Sequence, residues 1–387
     1  MRVVMSTDDF KLRGVSIPDF PILMWTKNNK ELGIKTGMLF EEGVDFLMYQ
    51  LITRGRVDSK NSWATYGQWL CNFFSFCEDN NQNWREIADD GRNESLLAVY
   101  RDSCSEDFDL AASTVNSYLR IATSFYRYAL GRGWVSKVPY SLESVKVNRP
   151  ASFLAHVDNT SDKVLSPDVM LKTYKGAIKF LSSEEVTTLL ASIKNETLKL
   201  MVRLCLQTGI RKKEVYLFRL DAIRKTRPDE LKCTVYIRKT KGSKERSIDV
   251  PAVLMDDLWG YVNELRFQQQ RDSGVETNCL FLTKEGKAFS PNSNAFNNAL
   301  TALKLDFHVT PHMLRHTYAT QMLRWLQQSK NLAFNAVMYI QARLGHARLS
   351  TTMIYLHLIN DLIDDLSIEY QDAINSLGES EEQRPCQ

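Results

Sequence analysis

Four side chains that can act together on a phosphate lie within the stretch from His312 to Tyr355. His312 and Arg315 are three residues apart, so on a helix both would project from one face. The glycine before His346 and the small polar residues after it indicate that one helix ends and another begins near residue 350. The second helix would carry Tyr355. Two helices and a turn would thus bring together a guanidinium, two imidazoles and a phenol.

Each of these groups has a property that suits phosphodiester chemistry. Arg315 offers a planar fork of donors that fits two phosphate oxygens and keeps its charge. His312 and His346 can donate hydrogen bonds or move protons near neutral pH. The Tyr355 hydroxyl can act as a nucleophile and form a covalent intermediate. A lone tyrosine or histidine belongs far more often to the core or the surface, so only the combination is informative.

A second set of candidate residues lies upstream. A helix that ends in Thr-Gly is followed by Arg211 at the start of the next helix, where Glu214, one turn on, can hold its guanidinium. Residues 234–251 contain two β-rich runs around a Gly-Ser turn, which predicts a hairpin whose basic tip can enter a DNA groove. Three lysines lie near that tip, Lys239, Lys241 and Lys244.

Taken in order, five segments resemble the tyrosine recombinases, also called the phage integrase family. These segments are residues 208–214, 241–246, 312–320, 344–346 and 350–355. The step of nine residues from His346 to Tyr355 also matches the family's pattern. The resemblance implies that the catalytic residues are Arg211, Lys241, His312, Arg315, His346 and Tyr355. From the spacing and the hairpin pattern, Glu214 is expected to support Arg211, and Lys239 and Lys244 are expected to contact DNA.

The roles that the resemblance implies divide one reaction among these residues. The arginines and a histidine hold the nonbridging oxygens of the scissile phosphate, Tyr355 attacks phosphorus, and Lys241 acts as general acid toward the leaving 5′ oxygen. Fixed donors of this kind stabilise the charge that develops on phosphorus. No metal or other cofactor is expected, since the seven cysteines include no C-x-x-C pair and the chain has no ATP-binding Gly-Lys-Ser/Thr loop.

Two features depart from the family's pattern or leave it open. Residues 324–335 make the segment between Arg315 and His346 longer than the compact family version, which predicts longer helices or a longer loop. Spacing does not rank the three lysines of the hairpin tip, and the alignment of Lys-Gly-x-Lys-Glu-Arg favours Lys241.

The elements that must position these residues indicate two domains in a mainly α-helical chain of 387 residues. Four amphipathic helical stretches follow residue 39, and the resemblance implies that they form a helical core-binding domain. Ser182 and Glu185 form a capping-box pattern at the start of a mostly helical catalytic domain with a small antiparallel sheet. The predicted parts are an N-terminal extension (1–38), the core-binding domain (39–138), a linker (139–175), the catalytic domain (176–370) and a C-terminal tail (371–387).

Basic residues among the first domain's helices are candidate phosphate contacts, with simple solvent exposure as the alternative. The aromatic residues at helical spacing there are predicted to form the core rather than to stack on bases. The candidate DNA contacts are Lys60, Arg120, Arg127 and Arg132.

The charge distribution is segregated although the net charge is only +3. Basic residues outnumber acidic ones from 203 to 246, whereas the charged residues from 361 to 382 are all acidic. The chain has neither an apolar signal core nor a run of eighteen apolar residues, which predicts a cytoplasmic protein without a membrane anchor.

Together these features predict a site-specific recombinase or integrase that acts on double-stranded DNA, as in a mobile genetic element. The resemblance implies inverted-repeat core sites, a 3′-phosphotyrosine intermediate and four subunits on two duplexes. It also implies that the C-terminal helix packs on a neighbouring subunit, and packing on its own domain is the alternative. A type IB topoisomerase is an alternative that uses the same chemistry. A DNA-binding relative without catalytic activity is the third hypothesis.

Overall fold

The computed structural model describes residues 1–12, 14–28, 34–55, 57, 60–87, 95–146, 163–173, 178–238, 245–328, 335–346, 349 and 351–356. It divides into two compact units, Met1–Lys175 and Gly176–Gln387. About half of the described residues are helical, and the strands form small two-stranded antiparallel sheets, which confirms the mainly α fold class. No helix within these ranges is both long and apolar enough to cross a bilayer.

The first unit is organised around an aromatic core between four helices. The helices are α1 (Glu41–Met48), α2 (Lys60–Asp79), α3 (Leu96–Asp102) and α4 (Ala112–Gly131). Phe74 of α2 and Phe125 of α4 are fully buried, with ring centroids 5.0 Å apart in an edge-on arrangement. The neighbouring Phe73 is equally buried. The aromatic residues at helical spacing along α2 and α4 therefore belong to the core of this unit.

The N-terminal segment, which the sequence left without a role, is part of this unit. Strand β1 (Arg2–Met5) pairs antiparallel with β4 (Pro21–Met24). Between them in the sequence, β2 (Lys11–Leu12) and β3 (Val15–Ser16) form a second short antiparallel pair. Leu23 of β4 is fully buried. A Cβ on Gly67 of α2 would lie only 2.4 Å from the Pro21 side chain, so strand and helix are in close contact.

Residues predicted as a linker also belong in part to the first unit. Strand β5 (Leu142–Lys146) pairs with β6 (Lys163–Pro167). Val169 is buried in the first core, and the Asn116 side chain of α4 exchanges two hydrogen bonds of 2.8 Å with the Leu171 backbone. The composition of 139–175 concealed these contacts, because they depend on residues far away in the sequence.

The second unit contains the candidate site and is built from helices around one hairpin. Its elements are α5 (Ser183–Ser192), α6 (Glu196–Thr208), α7 (Lys212–Tyr216), β7 (Lys232–Ile237), β8 (Arg246–Pro251), α8 (Ala252–Tyr261), α9 (Phe267–Ser273), α10 (Ala295–Thr301), α11 (Pro311–Gln328), α12 (Ala336–Leu344) and α13 (351–356). Helix α5 begins with the predicted capping box of Ser182 and Glu185. The predicted hairpin is present, with β7 and β8 paired from Lys232–Pro251 to Ile237–Arg246.

Helix α11 is held in the core and packs against α6. Leu314, Ala319 and Leu323 are fully buried, and the Thr317 hydroxyl accepts a hydrogen bond from the backbone N–H of Leu181. A helix fixed along its length in this way holds the side chains of its first turn in place. In the region predicted to be enlarged, α11 continues to Gln328, while 329–334 lie outside the described residues, as do 357–387 with the predicted C-terminal helical stripe.

Candidate active site

The first two turns of α11 carry three residues that face one site. The helix begins at Pro311, whose fixed φ suits a first helical position. His312 and His316 are four residues apart, and their rings meet edge-on with centroids separated by 4.2 Å. His312 is exposed and His316 is half-buried. Arg315 lies between them and is buried.

Arg315 is fixed by two backbone carbonyls from different parts of the chain. Its Nη1 donates to the Gly209 carbonyl at 2.5 Å, and its Nη2 donates to the Leu344 carbonyl at 2.7 Å. Gly209 ends α6 with φ +65°, where a side chain would be strained. Burial, together with the charges of Arg211 and Arg246, lowers the pKa of the Arg315 guanidinium to about 9, so it remains a cation at neutral pH.

A buried carboxylate joins two more guanidiniums. Glu214 of α7 accepts hydrogen bonds of 2.7 and 2.8 Å from the two Nη atoms of Arg246 on β8. It also accepts from the backbone N–H of Arg211 at 2.8 Å and from the Arg211 Nη1 at 3.3 Å. Burial alone would raise the pKa of the Glu214 carboxyl, but the hydrogen bonds and charge of Arg246, followed by those of Arg211, lower it to about 2.

The turn after α12 positions His346. Gly345 ends the helix with φ +63°, and a Cβ there would lie 2.9 Å from the Arg246 Cδ. The His346 Nδ1 is 2.9 Å from the hydroxyl oxygen of Thr352, which is fully buried on α13. Burial and then the charges of the surrounding arginines, Arg315 first, lower the pKa of His346 to about 3, so its imidazole is neutral at pH 7.

Tyr355 of α13 is enclosed by this arrangement. Only 2% of its surface is exposed, and its hydroxyl oxygen is 2.7 Å from the His316 Nδ1. Its ring also lies parallel to that of His346, with centroids 6.3 Å apart. Burial raises the pKa of the Tyr355 phenol, whereas the charges of Arg315 and Arg211 act to lower it.

The structure thus brings five of the six predicted catalytic residues together, and the sixth lies outside the described part of the chain. The five are Arg211, His312, Arg315, His346 and Tyr355, with Glu214 beside them. The hairpin-tip residues Lys239, Lys241 and Lys244 are those outside the described ranges.

Three residues of the site were not assigned a role from the sequence, although each had a signal. His316 is on the same helical face as His312, at a spacing of four. Arg246 occupies an inward position of β8, where Ile248 and Val250 also point inward. Thr352 is one turn before Tyr355 on α13, facing the same way.

The four candidate DNA contacts of the first unit are all exposed. Lys60 pairs with Asp19 at 2.9 Å, and Arg132 pairs with Asp45 at 2.6 Å. Arg127 and Arg132 line one cavity of about 370 Å³ with Arg54. Arg120 lies on α4. Their exposure is compatible with both hypotheses, so their contact with DNA remains a prediction.

No group of three or more His, Cys, Asp or Glu side chains within the described ranges is arranged to hold a metal ion. The polar groups around Tyr355 are instead the guanidiniums of Arg315 and Arg211 and the imidazoles of His316 and His346. A set of this kind can bind an anionic oxygen and stabilise negative charge as it develops.

Comparison with known proteins identifies similar chains. The model of the phage integrase family matches residues 179–361. Tyrosine recombinase XerC of Anoxybacillus flavithermus is 28% identical over 240 residues, which are 62% of this chain and 69% of that protein. Tyrosine recombinase XerD of Oceanobacillus iheyensis is 24% identical over 336 residues, which are 84% and 96% of the two chains.

A solved structure shares the fold at low sequence identity. It is the XerH site-specific recombinase bound to a palindromic difH substrate in a post-cleavage complex, with a TM-score of 0.52 and 17% identity. The similarity covers 86% of this chain and 89% of that one. The shared fold therefore extends across both units rather than the matched family segment alone.

Proposed function

This chain belongs to the phage integrase family of tyrosine recombinases, as its motifs predicted, and on this premise we propose that it is a site-specific DNA recombinase that acts through Tyr355. It cuts and rejoins DNA strands by forming a 3′-phosphotyrosyl bond. One observation carries the assignment of the nucleophile. The Tyr355 hydroxyl is hydrogen-bonded at 2.7 Å to His316 of α11, the helix that also carries His312 and Arg315.

The site's cations account for binding of the scissile phosphate. Arg315 and Arg211 would hold the nonbridging oxygens, because guanidiniums fit such oxygens and stay charged. His346 would add a donor from its Nε2–H when the Thr352 hydroxyl donates to its Nδ1. Tyr355 then attacks phosphorus, and the fixed donors meet the charge that develops there.

Glu214 and Arg246 have a supporting role in this scheme. Glu214 holds Arg211 at the start of α7, and Arg246 joins that carboxylate to the chain near His346 through a 2.7 Å hydrogen bond to the Arg343 carbonyl. A buried ion pair that is fully hydrogen-bonded fixes geometry. Lys241 is proposed as the general acid that protonates the leaving 5′ oxygen.

Access to the site requires a local movement. Arg315 and Tyr355 are each only 2% exposed, whereas His312 is exposed. A DNA phosphate can contact Arg315 and Tyr355 only after the residues that bury these two side chains move. We place this opening before cleavage, at the stage when DNA binds.

We further propose the assembly and setting that the family suggests. The substrate is double-stranded DNA with inverted-repeat core sites, bound by a tetramer on two duplexes in the cytoplasm. Lys60, Arg120, Arg127 and Arg132 contact the DNA backbone, and Lys239 and Lys244 approach the groove from the hairpin tip. The enzyme serves a mobile genetic element. A transposon integrase bound to its circular intermediate DNA has the same fold, with a TM-score of 0.52 at 16% identity.

The test begins with a DNA site chosen by the protein itself. Tyr355→Phe protein is used to select duplexes from a pool of random sequence, since this variant keeps the ring and loses the nucleophile. The selected duplex is then incubated with wild-type protein, Tyr355→Phe, and a control, Tyr49→Phe, altered at an exposed tyrosine in the first unit. Covalent adduct is scored on a denaturing gel.

Wild-type and Tyr49→Phe proteins are expected to form an adduct at a 3′ phosphate, while Tyr355→Phe binds the duplex and forms none. A supercoiled plasmid with two copies of the selected duplex then separates the hypotheses. Deletion or inversion between the copies supports recombination. Relaxation without joined products supports a topoisomerase, and binding without any adduct supports a non-catalytic relative.

A further inference from the structure

The three histidines of the site differ in what they can do for Tyr355. His312 is exposed and contacts the His316 ring, and no hydrogen bond joins it to Tyr355 among the described residues. His346 lies parallel to the phenol ring, with its Nδ1 already bonded to Thr352. His316 has its Nδ1 at 2.7 Å from the phenolic oxygen. It is therefore the histidine placed to exchange a proton with the nucleophile.

We propose that His316 is a further catalytic residue, which orients the Tyr355 hydroxyl and accepts its proton as the phenolic oxygen attacks phosphorus. This inference rests on the proposed function, because it assumes that Tyr355 is the nucleophile. The lone pair on Nδ1 requires the ring proton to be on Nε2. A proton acceptor must lie within about 2.6–3.2 Å of the proton's donor atom, and this distance is within that range.

The proposed step is balanced. The Oη–H bond of Tyr355 breaks and its proton moves to the Nδ1 of His316, which becomes imidazolium. The Oη–P bond forms, the bond from phosphorus to the 5′ oxygen breaks, and that oxygen takes a proton from the general acid. When a 5′ hydroxyl attacks the phosphotyrosine, its proton passes to the deprotonated general acid and the bond from phosphorus to the 5′ oxygen forms. The Oη–P bond breaks, and His316 returns its proton to the phenolate.

The groups around His316 keep it ready to accept a proton. They are His312 and Arg315 on its own helix, Tyr355 on α13 and His346 in the turn after α12. Burial, then His312 and Arg315, lower the pKa of His316 to about 4, so the ring is neutral at pH 7. A phosphate bound to Arg315 would offset that cation and raise the pKa of His316. The base would thus become stronger when DNA occupies the site.

Two substitutions separate proton transfer from simple positioning. His316→Asn keeps an acceptor near the place of Nδ1 but cannot take up a proton at neutral pH, and His316→Ala removes the acceptor. His308→Asn, at an exposed histidine before α11, is the matched control. Binding of the selected duplex and thermal unfolding are measured first for each protein, so that cleavage rates are compared among folded variants.

Cleavage is followed in single turnover with two forms of the selected duplex, one natural and one with sulfur in place of the bridging 5′ oxygen. Because the sulfur leaving group does not need a proton, this duplex restores cleavage by a variant that lacks the general acid. It does not restore cleavage by a variant whose nucleophile is not activated. His316→Asn is expected to lose about 10²- to 10⁴-fold in adduct formation on both duplexes, the range for loss of a general base. His308→Asn should match wild type.

The pH profile provides the second readout. Without its base, the His316→Asn variant reacts only through the fraction of Tyr355 that is already ionised, and this fraction rises about tenfold per pH unit. The ratio of the wild-type cleavage rate to the His316→Asn rate should therefore fall about tenfold per pH unit between pH 6.5 and 8.5. A ratio constant with pH, a variant within threefold of wild type, or full rescue by sulfur would each overturn the inference. Absence of an adduct with wild-type protein would instead overturn the proposed function.

Discussion

Removing the Glu214 carboxylate is expected to destabilise the second unit and to misplace two guanidiniums at once. The substitution Glu214→Gln keeps the shape of the side chain and removes its charge. Arg246, only 7% exposed, would then lose the carboxylate charge that its two Nη atoms contact. Breaking a buried pair by removing one partner costs about 3–5 kcal/mol, because the remaining charge is not compensated.

The pKa of Glu214 gives a second route to this magnitude. It falls from the ordinary 4.5 to about 2 in the folded chain. At ~1.4 kcal/mol for each pKa unit, the ionised carboxylate contributes about 3 kcal/mol to folding at neutral pH. Because the folded pKa is the lower one, this stability is fully present above about pH 4.5 and is lost as the pH falls toward 2.

Urea unfolding of the full chain, followed by circular dichroism at pH 7 and at points between pH 5 and 2, would measure the effect. Asp257→Asn is the control, since it breaks the more exposed pair with Arg203 at 2.6 Å. Exposed pairs contribute ~1 kcal/mol or less. The transition of the second unit should move to lower urea in Glu214→Gln and much less in the control. Near pH 2 the Glu214→Gln and wild-type proteins should converge.

The reasoning fails if Glu214→Gln unfolds at the same urea concentration as wild type at pH 7. It also fails if the difference between the two proteins is the same at pH 7 and near pH 2, because the loss would then not come from an ionised carboxylate. Adduct formation on the selected duplex should fall in parallel, since Arg211 loses its positioning partner.

Two further predictions concern single contacts in the site. Gly209→Ala should destabilise the fold by at least ~3 kcal/mol, because φ is +65° there and the new Cβ would lie 2.3 Å from the buried ring of Tyr318. Gly274→Ala is the control: it is also a helix end at φ +65°, but nothing lies within 4 Å of its Cβ, so it should cost ~1 kcal/mol. Thermal unfolding of the two variants measures the difference. Thr352→Val should slow adduct formation about tenfold with DNA binding retained, because one hydrogen bond that orients His346 is lost; equal single-turnover rates would contradict it.

Features set by neighbouring residues were predictable from the sequence. The capping box at Ser182 and the helix ends at Gly209 and Gly345 each depend on a few consecutive side chains. These signals also fixed which catalytic candidates share a helix or face a turn. Hence the motifs and their spacing predicted the fold class and the family.

Contacts between distant residues were not predictable in the same way. The His316–Tyr355 bond joins residues 39 apart, and the Glu214–Arg246 pair joins residues 32 apart, across a turn and a hairpin whose geometry spacing does not determine. The pairing of the N-terminal strands was not predictable for a similar reason. They are two to four residues long, and they are stabilised by packing on α2 rather than by their own periodicity.

The enclosed position of Tyr355 also has a consequence for control of the enzyme. One polypeptide supplies both Tyr355, the proposed nucleophile, and the guanidiniums that would receive the phosphate. A neighbouring molecule is then not required to deliver Tyr355 or these guanidiniums to this site. Regulation would then have to act by moving α13, with Tyr355, away from α11. An inactive member of an assembly would be one in which a contact from a neighbouring molecule keeps the two helices apart.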